Sequence, residues 1–293
     1  MAAPVPEPPR LAGIGDEAAP GLDGQLAALG ALGWELLEVR TLDGVPIAAV
    51  PEDGVAAAAE RIRGAGARVV AVAAKIGDWS RPATGDFALD LAELDALARR
   101  CAALGTRTVR IMSYPSGGLP APEWGRTARA RVRELAHRAE DAGLLLVHEN
   151  CAGWAGEDAE RALDLLAHAD SPALRLLFDT GNGVAHGYDA PAMLRDLAPH
   201  VAHVHIKDAV RTPGGDTAYV PPGEGAAGVE ECLRILAGHG YRGALSIEPH
   251  LHLRPHLLAH GADPGRGDPA AFVEYGRRLE GLVRRAWNTE GVR

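Results

Sequence analysis

The stretch LLLVHE at residues 144–149 is followed by LRLLFD at 174–179, HVHIKD at 203–208 and ALSIE at 244–248. Each run is short and mostly apolar, which is typical of a strand buried on both faces. Each carries, at or near its end, a side chain that can bind a metal. These side chains are Glu149, Asp179, His205 and Glu248, at spacings of 30, 26 and 43 residues. Such spacings fit strand–helix–strand steps, so the runs are predicted to be successive strands of a parallel barrel.

Four similar runs precede these, and helical segments lie between them. The earlier runs are LAGIG (11–15), ELLEVR (35–40), RVVAVAAKIG (68–77) and TVRIMS (108–113). The intervening segments are rich in Ala, Leu and Arg with a helical period, and several end in Gly, a common helix stop. Eight such units predict an α/β fold, a single-domain (β/α)8 TIM barrel. We expect the barrel over residues 11–285, a disordered N-terminal tail over 1–10 and a C-terminal tail over 286–293.

The composition excludes several classes of protein. The chain has 293 residues, of which 47% are apolar and 24% charged, so it can bury a large core. Its net charge of −9 is opposite to that of a typical nucleic-acid binder. Three scattered cysteines, without a CxxC pair, indicate neither a disulfide framework nor a thiolate zinc site. No apolar segment predicts a signal peptide or a membrane span, so a cytoplasmic location is expected.

The four strand-end side chains are predicted to meet at one mouth of the barrel. Parallel strands all end at the same face, and the loops after them form the catalytic face of such barrels. Carboxylate, carboxylate, imidazole and carboxylate suit one divalent cation such as Mn, Co, Mg or Zn. Because side chains alternate along a strand, Glu149 is expected to point inward and His148 outward. By the same rule His203, His205 and Lys207 share the inward face.

Further residues are candidates for contacts with a substrate. Lys75 and Lys207 are the only lysines beside 28 arginines, and both are predicted to follow or end a strand. Lysine offers a compact charge with a tunable pKa, so both are expected to reach the site. The long loop that holds His250, His252, His256 and His260 is interpreted as a substrate cover. A Gly-Glu-Gly turn (223–225) is expected before a helix, where barrels commonly hold anions.

HEN after the fifth strand, FDTGN after the sixth, HVHIKD at the seventh, GEG beyond it and IEP at the eighth resemble the sugar phosphate isomerase/epimerase superfamily. This group of xylose-isomerase-like TIM barrels includes ketose 3-epimerases, inosose dehydratases and endonuclease IV. The resemblance implies that Glu149, Asp179, His205 and Glu248 bind one divalent metal. It also implies that Glu149 and Glu248 act as the acid/base pair on opposite faces of the substrate carbon.

The resemblance also assigns roles in binding a substrate. Arg211 matches an arginine that contacts the substrate in the epimerases. Asn182 stands where those epimerases have a substrate-contacting histidine; it can donate a hydrogen bond but cannot carry a proton. Arg40 and Trp154 lie at expected strand ends or loops that face the site. The family suggests a homodimer, and the expected partner is a small carbohydrate rather than nucleic acid or membrane.

The leading hypothesis is a divalent-metal-dependent epimerase or isomerase of a ketose or keto-polyol, free or phosphorylated. Proton transfer through a cis-enediolate would invert a carbon or move the carbonyl. A lyase of the same barrel, an inosose-type dehydratase or a C-glycoside-cleaving enzyme, shares that intermediate and stays open. A non-catalytic metal-binding barrel subunit is the third hypothesis. A nuclease of the endonuclease IV type is disfavoured by the acidic charge and by strands three and four, which end without histidine.

Overall fold

The computed structural model describes residues 7–260, 263 and 265–287. Twelve strands lie in this part of the chain. They are β1 (Arg10–Ile14), β2 (Leu36–Val39), β3 (Thr41–Leu42), β4 (Val45–Pro46), β5 (Arg68–Ala73), β6 (Thr108–Ser113), β7 (Leu145–Gly153), β8 (Leu174–Asp179), β9 (Val201–Ile206), β10 (Ala209–Arg211), β11 (Thr217–Tyr219) and β12 (Ala244–Ile247).

The α-helices of the same part of the chain lie mainly between the barrel strands. They are α1 (Leu22–Leu32), α2 (Glu52–Gly64), α3 (Ala88–Leu104), α4 (Ala121–Asp141), α5 (Ala159–Ala169), α6 (Asn182–His186), α7 (Ala190–Leu197), α8 (Val229–Gly238) and α9 (Pro269–Trp287). Helices α1 and α3 end at Gly33 and Gly105, whose φ of 73° is the left-handed conformation that glycine adopts without strain. None of the helices in the described ranges combines the length and the apolar character that crossing a bilayer requires.

Eight strands close into one parallel barrel, in the order β1-β12-β9-β8-β7-β6-β5-β2, with β2 returning to β1. This confirms the predicted (β/α)8 TIM barrel. Each predicted run overlaps one of the barrel strands. The short pairs β3-β4 and β10-β11 are antiparallel hairpins in loops that follow barrel strands. Their strands are only two or three residues long, too short to show an alternation of apolar and polar residues. The sequence therefore does not predict either hairpin.

The barrel boundaries differ slightly from the predicted ones. Strand β1 begins at Arg10, which was assigned to the N-terminal tail. Helix α9 runs to Trp287, two residues into the predicted C-terminal tail, because Trp287 is buried and continues its apolar face. Strand ends depend on pairing rather than on composition, which explains shifts of this size. The remaining residues of both predicted tails, apart from 7–9, lie outside the described residues.

Two kinds of core hold the barrel together. The large one lies between the outward faces of the strands and the helices, and it includes Leu37, Ile111 and Phe178. A small one, made of Ala12, Leu36 and Ala244, lies within the barrel near the starts of its strands. Towards the strand ends, the inward side chains are instead charged. The interior of the barrel is thus apolar near the starts of the strands and polar near their carboxyl ends. The candidate site is expected at the carboxyl ends.

Candidate metal centre

Glu149, Asp179, His205 and Glu248 come together at one end of the barrel, where the pairing of β7 with β8 ends at Glu149 and where β8, β9 and β12 end. One ligand atom from each lies within 4.8 Å of the others, and all four side chains are buried. From Nδ1 of His205, the distances are 3.5 Å to Glu248 Oε2, 3.9 Å to Glu149 Oε1 and 4.0 Å to Asp179 Oδ2. The predicted set of residues is thus one cluster in space.

Strand register explains this convergence. Asp179 is paired with His205 across β8 and β9, and His205 is paired with Ser246, two residues before Glu248. Residues two apart on a strand point to the same side, so Glu248 follows Ser246 on the inward face. His148, one residue before Glu149, is buried but lies outside the cluster. Burial lowers the pKa of His148 to about 4, so it is neutral near pH 7.

The cluster has the free ligand atoms that a cation requires. Asp179 Oδ2, His205 Nδ1 and Glu248 Oε2 are buried, and no described residue meets hydrogen-bond geometry with them. The two carboxylate oxygens are in ionic contact with the ammonium group of Lys207, and Nδ1 of His205 has no such partner among the described residues. Asp179 Oδ1, by contrast, accepts from the backbone N–H groups of Gly181 and Asn182 at 2.8 and 2.9 Å. One carboxylate oxygen is therefore fixed while the other faces the centre. Three carboxylates and one imidazole suit Mg, Mn, Co or Zn, so the residues fit a divalent metal.

Glu38, which the sequence analysis did not single out, orients His205. Its Oε1 lies 3.0 Å from Nε2 of His205, and its Oε2 lies 2.8 Å from Nε2 of His203. A carboxylate only accepts, so Nε2 of His205 carries the proton and Nδ1 keeps its lone pair for a metal. Burial alone would raise the pKa of Glu38, but the two imidazoles hold it well below its usual range.

Lys207 supplies a positive charge at the cluster. Its Nζ lies 2.9 Å from Asp179 Oδ2 and 2.7 Å from Glu248 Oε2. Burial would lower the pKa of Lys207, but Asp179 and Glu248 raise it well above its usual value. The ammonium group is therefore charged and balances part of the carboxylate charge.

Asn182 ties Glu149 to Lys207. Its Nδ2 donates to Glu149 Oε1 at 3.1 Å, and its Oδ1 accepts from Lys207 Nζ at 3.3 Å. Asn150 supports the same corner, since it bonds both the N–H and the C=O of Asp179. Asn182 therefore lies at the cluster and donates a hydrogen bond to Glu149, one of the candidate ligands.

Arg40 lies on the other side of Glu248. Its guanidinium donates to Glu248 Oε1 at 2.8 Å, to Glu17 Oε1 at 2.8 Å and to Asp16 Oδ2 at 3.1 Å. His250 also contacts Glu17, with Nδ1 3.0 Å from Glu17 Oε1. Arg40 therefore holds one oxygen of Glu248 and leaves the other facing Lys207.

Lys75 lies at the mouth of the barrel, and in the described ranges it makes no hydrogen bond or ion pair with the four ligands. It follows β5, is exposed, and lines a cavity of about 700 Å³ together with Arg40 and Arg110. The sequence predicts that Lys75 reaches the site from the end of the third strand. The barrel strand ends at Ala73, so Lys75 belongs to the loop after it, and it also lines a neighbouring cavity of about 380 Å³.

Two predicted substrate-binding residues, Trp154 and Arg211, make contacts within the protein. Trp154 is buried against Gly125 of α4, and the guanidinium groups of Arg129 and Arg161 lie 5.0 and 5.9 Å from its ring. Exposed Arg211 donates to the carbonyls of Gly215 and Ala185, at 2.7 Å each, and lines a separate cavity of about 550 Å³. Packing against α4 and bonding to backbone carbonyls account for these positions. The contacts of Trp154 and Arg211 with a substrate stay predictions.

The Gly-Glu-Gly turn holds a carboxylate of the chain itself. Asp208 is buried, and it accepts from the backbone N–H groups of Ala209, Gly223, Gly225 and Ala227 at 2.8–3.2 Å. A Cβ on Gly225 would lie 2.1 Å from Asp208 Oδ1, so only glycine allows this approach. Asp208 thus fills the place where the sequence analysis expected an anion.

Replacing Asp208 with alanine should lower the free energy of unfolding by about 2 kcal/mol or more, because the two buried N–H groups of Ala209 and Ala227 and two partly buried ones lose their acceptor. Chemical denaturation followed by circular dichroism measures this change. Asp216, exposed in the hairpin before the turn, provides the control. Its replacement with alanine should change stability by no more than about 0.5 kcal/mol. Equal stability of the two variants would contradict the role given to Asp208.

Comparison with known proteins agrees with the fold. Residues 24–269 match the family model of xylose isomerase-like TIM barrels. Inosose dehydratase 1 of Bacillus cereus is 31% identical over 142 residues, which cover 43% of this chain and 47% of that protein. The chain spans about half the length of the curated relatives it matches.

Solved structures resemble the whole barrel. The structure of L-ribulose 3-epimerase has a TM-score of 0.74 and 20% identity, over 97% of this chain and 99% of that one. An IolI protein with a bound zinc atom has a TM-score of 0.73 and 17% identity, over 96% of this chain and 100% of that one. At these identities the likeness establishes the fold and leaves the reaction to the site.

Proposed function

The chain belongs to the xylose isomerase-like TIM barrel family, and we propose that it is a divalent-metal-dependent epimerase or isomerase of a ketose or keto-polyol. The observation that carries this proposal is the presence of two buried carboxylates, Glu149 and Glu248, in one ligand set. They come from β7 and β12, three positions apart in the barrel, so they approach the centre from different directions. Two such groups can remove a proton from one face of a carbon and return it to the other.

The cluster's own residues supply most of the chemistry. Glu149, Asp179, His205 and Glu248 would hold the cation, which, when bound, polarises a carbonyl and acidifies the neighbouring C–H. Either glutamate then accepts that proton, and the other returns it. The ammonium group of Lys207 faces the same centre and stabilises the negative charge that develops on the substrate oxygen. Asn182 holds Glu149 in place through its amide.

A lyase acting on a keto-polyol is the second candidate, favoured by the inosose dehydratases among the relatives. It would begin with the same removal of a proton next to the carbonyl. The C–O bond of the neighbouring carbon would then break, so that hydroxide leaves, takes up a proton and departs as water. The dehydratase activity for which those relatives are named is what favours this candidate, since the two carboxylates could serve either reaction.

One assay separates the two candidates. The metal-loaded protein is incubated in D₂O with ketoses, inososes and their phosphates, and the products are measured by mass spectrometry and chromatography. An epimerase or isomerase gives a stereoisomer or an isomer that has gained one deuterium. A dehydratase gives a product that has lost water. Absence of both changes on every compound would reject both proposals.

Removal of the metal provides a further test. Treatment with a chelator should lower the rate of deuterium incorporation at least ~100-fold, since a bound cation stabilises charge in the transition state by several kcal/mol. Adding back Mg, Mn, Co or Zn in turn should restore the rate and identify the preferred metal. A rate that is unchanged after chelation, with metal analysis showing an empty site, would contradict the metal-dependent mechanism.

A further inference from the structure

A cationic cavity adjoins the proposed metal centre. It has a volume of about 700 Å³, within the usual range for a site that takes a small organic molecule. Arg40 and Arg110 both line it and both contact the ligand set, Arg40 through Glu248 and Arg110 through Glu149. A molecule in this cavity would therefore lie beside the candidate acid/base pair.

Arg110 carries a buried guanidinium group that contacts the candidate ligand Glu149. It lies on β6 between Ala73 of β5 and Val147 of β7, and its side chain is only 5% exposed. Its Nε lies 3.4 Å from Glu149 Oε2, an ionic contact without a hydrogen bond, and Nε and Nη1 are buried with no acceptor among the described residues. Buried donors that lack acceptors are costly, so a ligand that supplies oxygens would be stabilised here.

The charges around the cavity favour an anion. Lys75 is exposed at the cavity and makes no ion pair with any residue in the described ranges. Arg266 also lines the cavity, whereas Asp16 is already paired with Arg40. Asp78 is the other carboxylate of the lining, and it accepts from the backbone and the hydroxyl of Ser80. The lining thus holds three cationic side chains, those of Lys75, Arg110 and Arg266, and one carboxylate outside the Asp16–Arg40 pair, that of Asp78.

We propose that this cavity binds an oxyanionic group of the substrate, a carboxylate or a phosphate, through Arg110 and Lys75. The planar guanidinium group of Arg110 suits two oxygens of one anion, and the ammonium group of Lys75 adds a point charge at the entrance. The other end of the substrate then reaches Glu149 and Glu248. The position of that end rests on the proposed function, whereas binding of an anion in the cavity is measured without turnover.

The experiment is a calorimetric titration with inorganic phosphate and, separately, with glycerate. Both the magnesium-loaded and the chelator-treated protein should bind one of these probes saturably, and the tighter probe identifies the anion class. Lys75→Met and Arg110→Met should each weaken binding at least ~10-fold, since a charge-assisted hydrogen bond is lost. Arg68→Met is the matched control, because Arg68 is an exposed cation at the start of β5, the strand that precedes Lys75. It should leave binding unchanged.

Three outcomes would overturn the proposal. They are no saturable binding of either probe, equal binding in wild type and Lys75→Met, and binding that disappears with the metal, which would place the anion on the cation. Lys75 is exposed, so its variant stays informative even if Arg110→Met fails to fold. Deuterium exchange on neutral ketoses without anion binding would reject this inference alone. Anion binding without any exchange would reject the proposed function alone.

Discussion

Replacing Glu149 or Glu248 with glutamine should lower the rate of deuterium incorporation by about 10²–10⁴-fold, the usual contribution of a general acid or base. Glutamine keeps the shape of glutamate and an oxygen that can face a cation, but it cannot accept a proton from carbon. Both glutamates are buried at the cluster, where water cannot readily take their place. The rate is measured by mass spectrometry in D₂O at saturating substrate.

Metal content must be measured in the same samples, because both residues are also candidate ligands. A variant that keeps its metal and loses exchange identifies a proton-transfer group, whereas one that loses both identifies a ligand. Glu224→Gln is the control, since Glu224 is exposed in the loop after β11 and pairs with Arg278. Retained exchange in both Glu149→Gln and Glu248→Gln would reject the acid/base roles.

Replacing Glu38 with alanine should weaken metal binding about 10–100-fold, although Glu38 is not a ligand. Without its carboxylate, nothing fixes the proton on Nε2 of His205, and the ring can turn or place a proton on Nδ1. Competition with a chromogenic chelator measures the affinity. Glu35→Ala is the control, because Glu35 precedes the same strand but is exposed and pairs with Arg68. An affinity equal to that of wild type, in a variant that still folds, would show that Glu38 does not position His205.

The fold could be predicted from the sequence because buried parallel strands leave a strong local pattern. LRLLFD and TVRIMS coincide with β8 and β6, and the spacing between runs matches one helix each. The cluster could be anticipated for a related reason. Parallel strands all end at one face of the barrel, and alternation decides which side chains point inward there. The inward side chains near the ends of β7, β8, β9 and β12 must therefore lie close together.

Other parts of the site depend on contacts that no local pattern records. Glu38 and Arg110 are charges within buried strands, at inward positions, and they bind partners far away in the sequence. A charge inside an otherwise apolar strand needs such a partner, and this was the signal available for both. Trp154 follows the end of β7, and Arg211 ends the short strand β10 of a loop hairpin. At neither position does strand alternation fix the direction in which the side chain points. Their observed partners are α4 for Trp154 and backbone carbonyls for Arg211, which no local pattern predicts.

The seam between β1 and β12 has a consequence for how the protein is made. Glu248 joins the cluster only when β12 pairs with β1 and β9, and Arg40 then links it to Glu17 near the start of the chain. These are among the longest loops that folding must close, so they belong to the slow part of the process. A nascent chain that has emerged only as far as β9 holds three of the four ligands. The fourth ligand therefore reaches the cluster only when the ring closes.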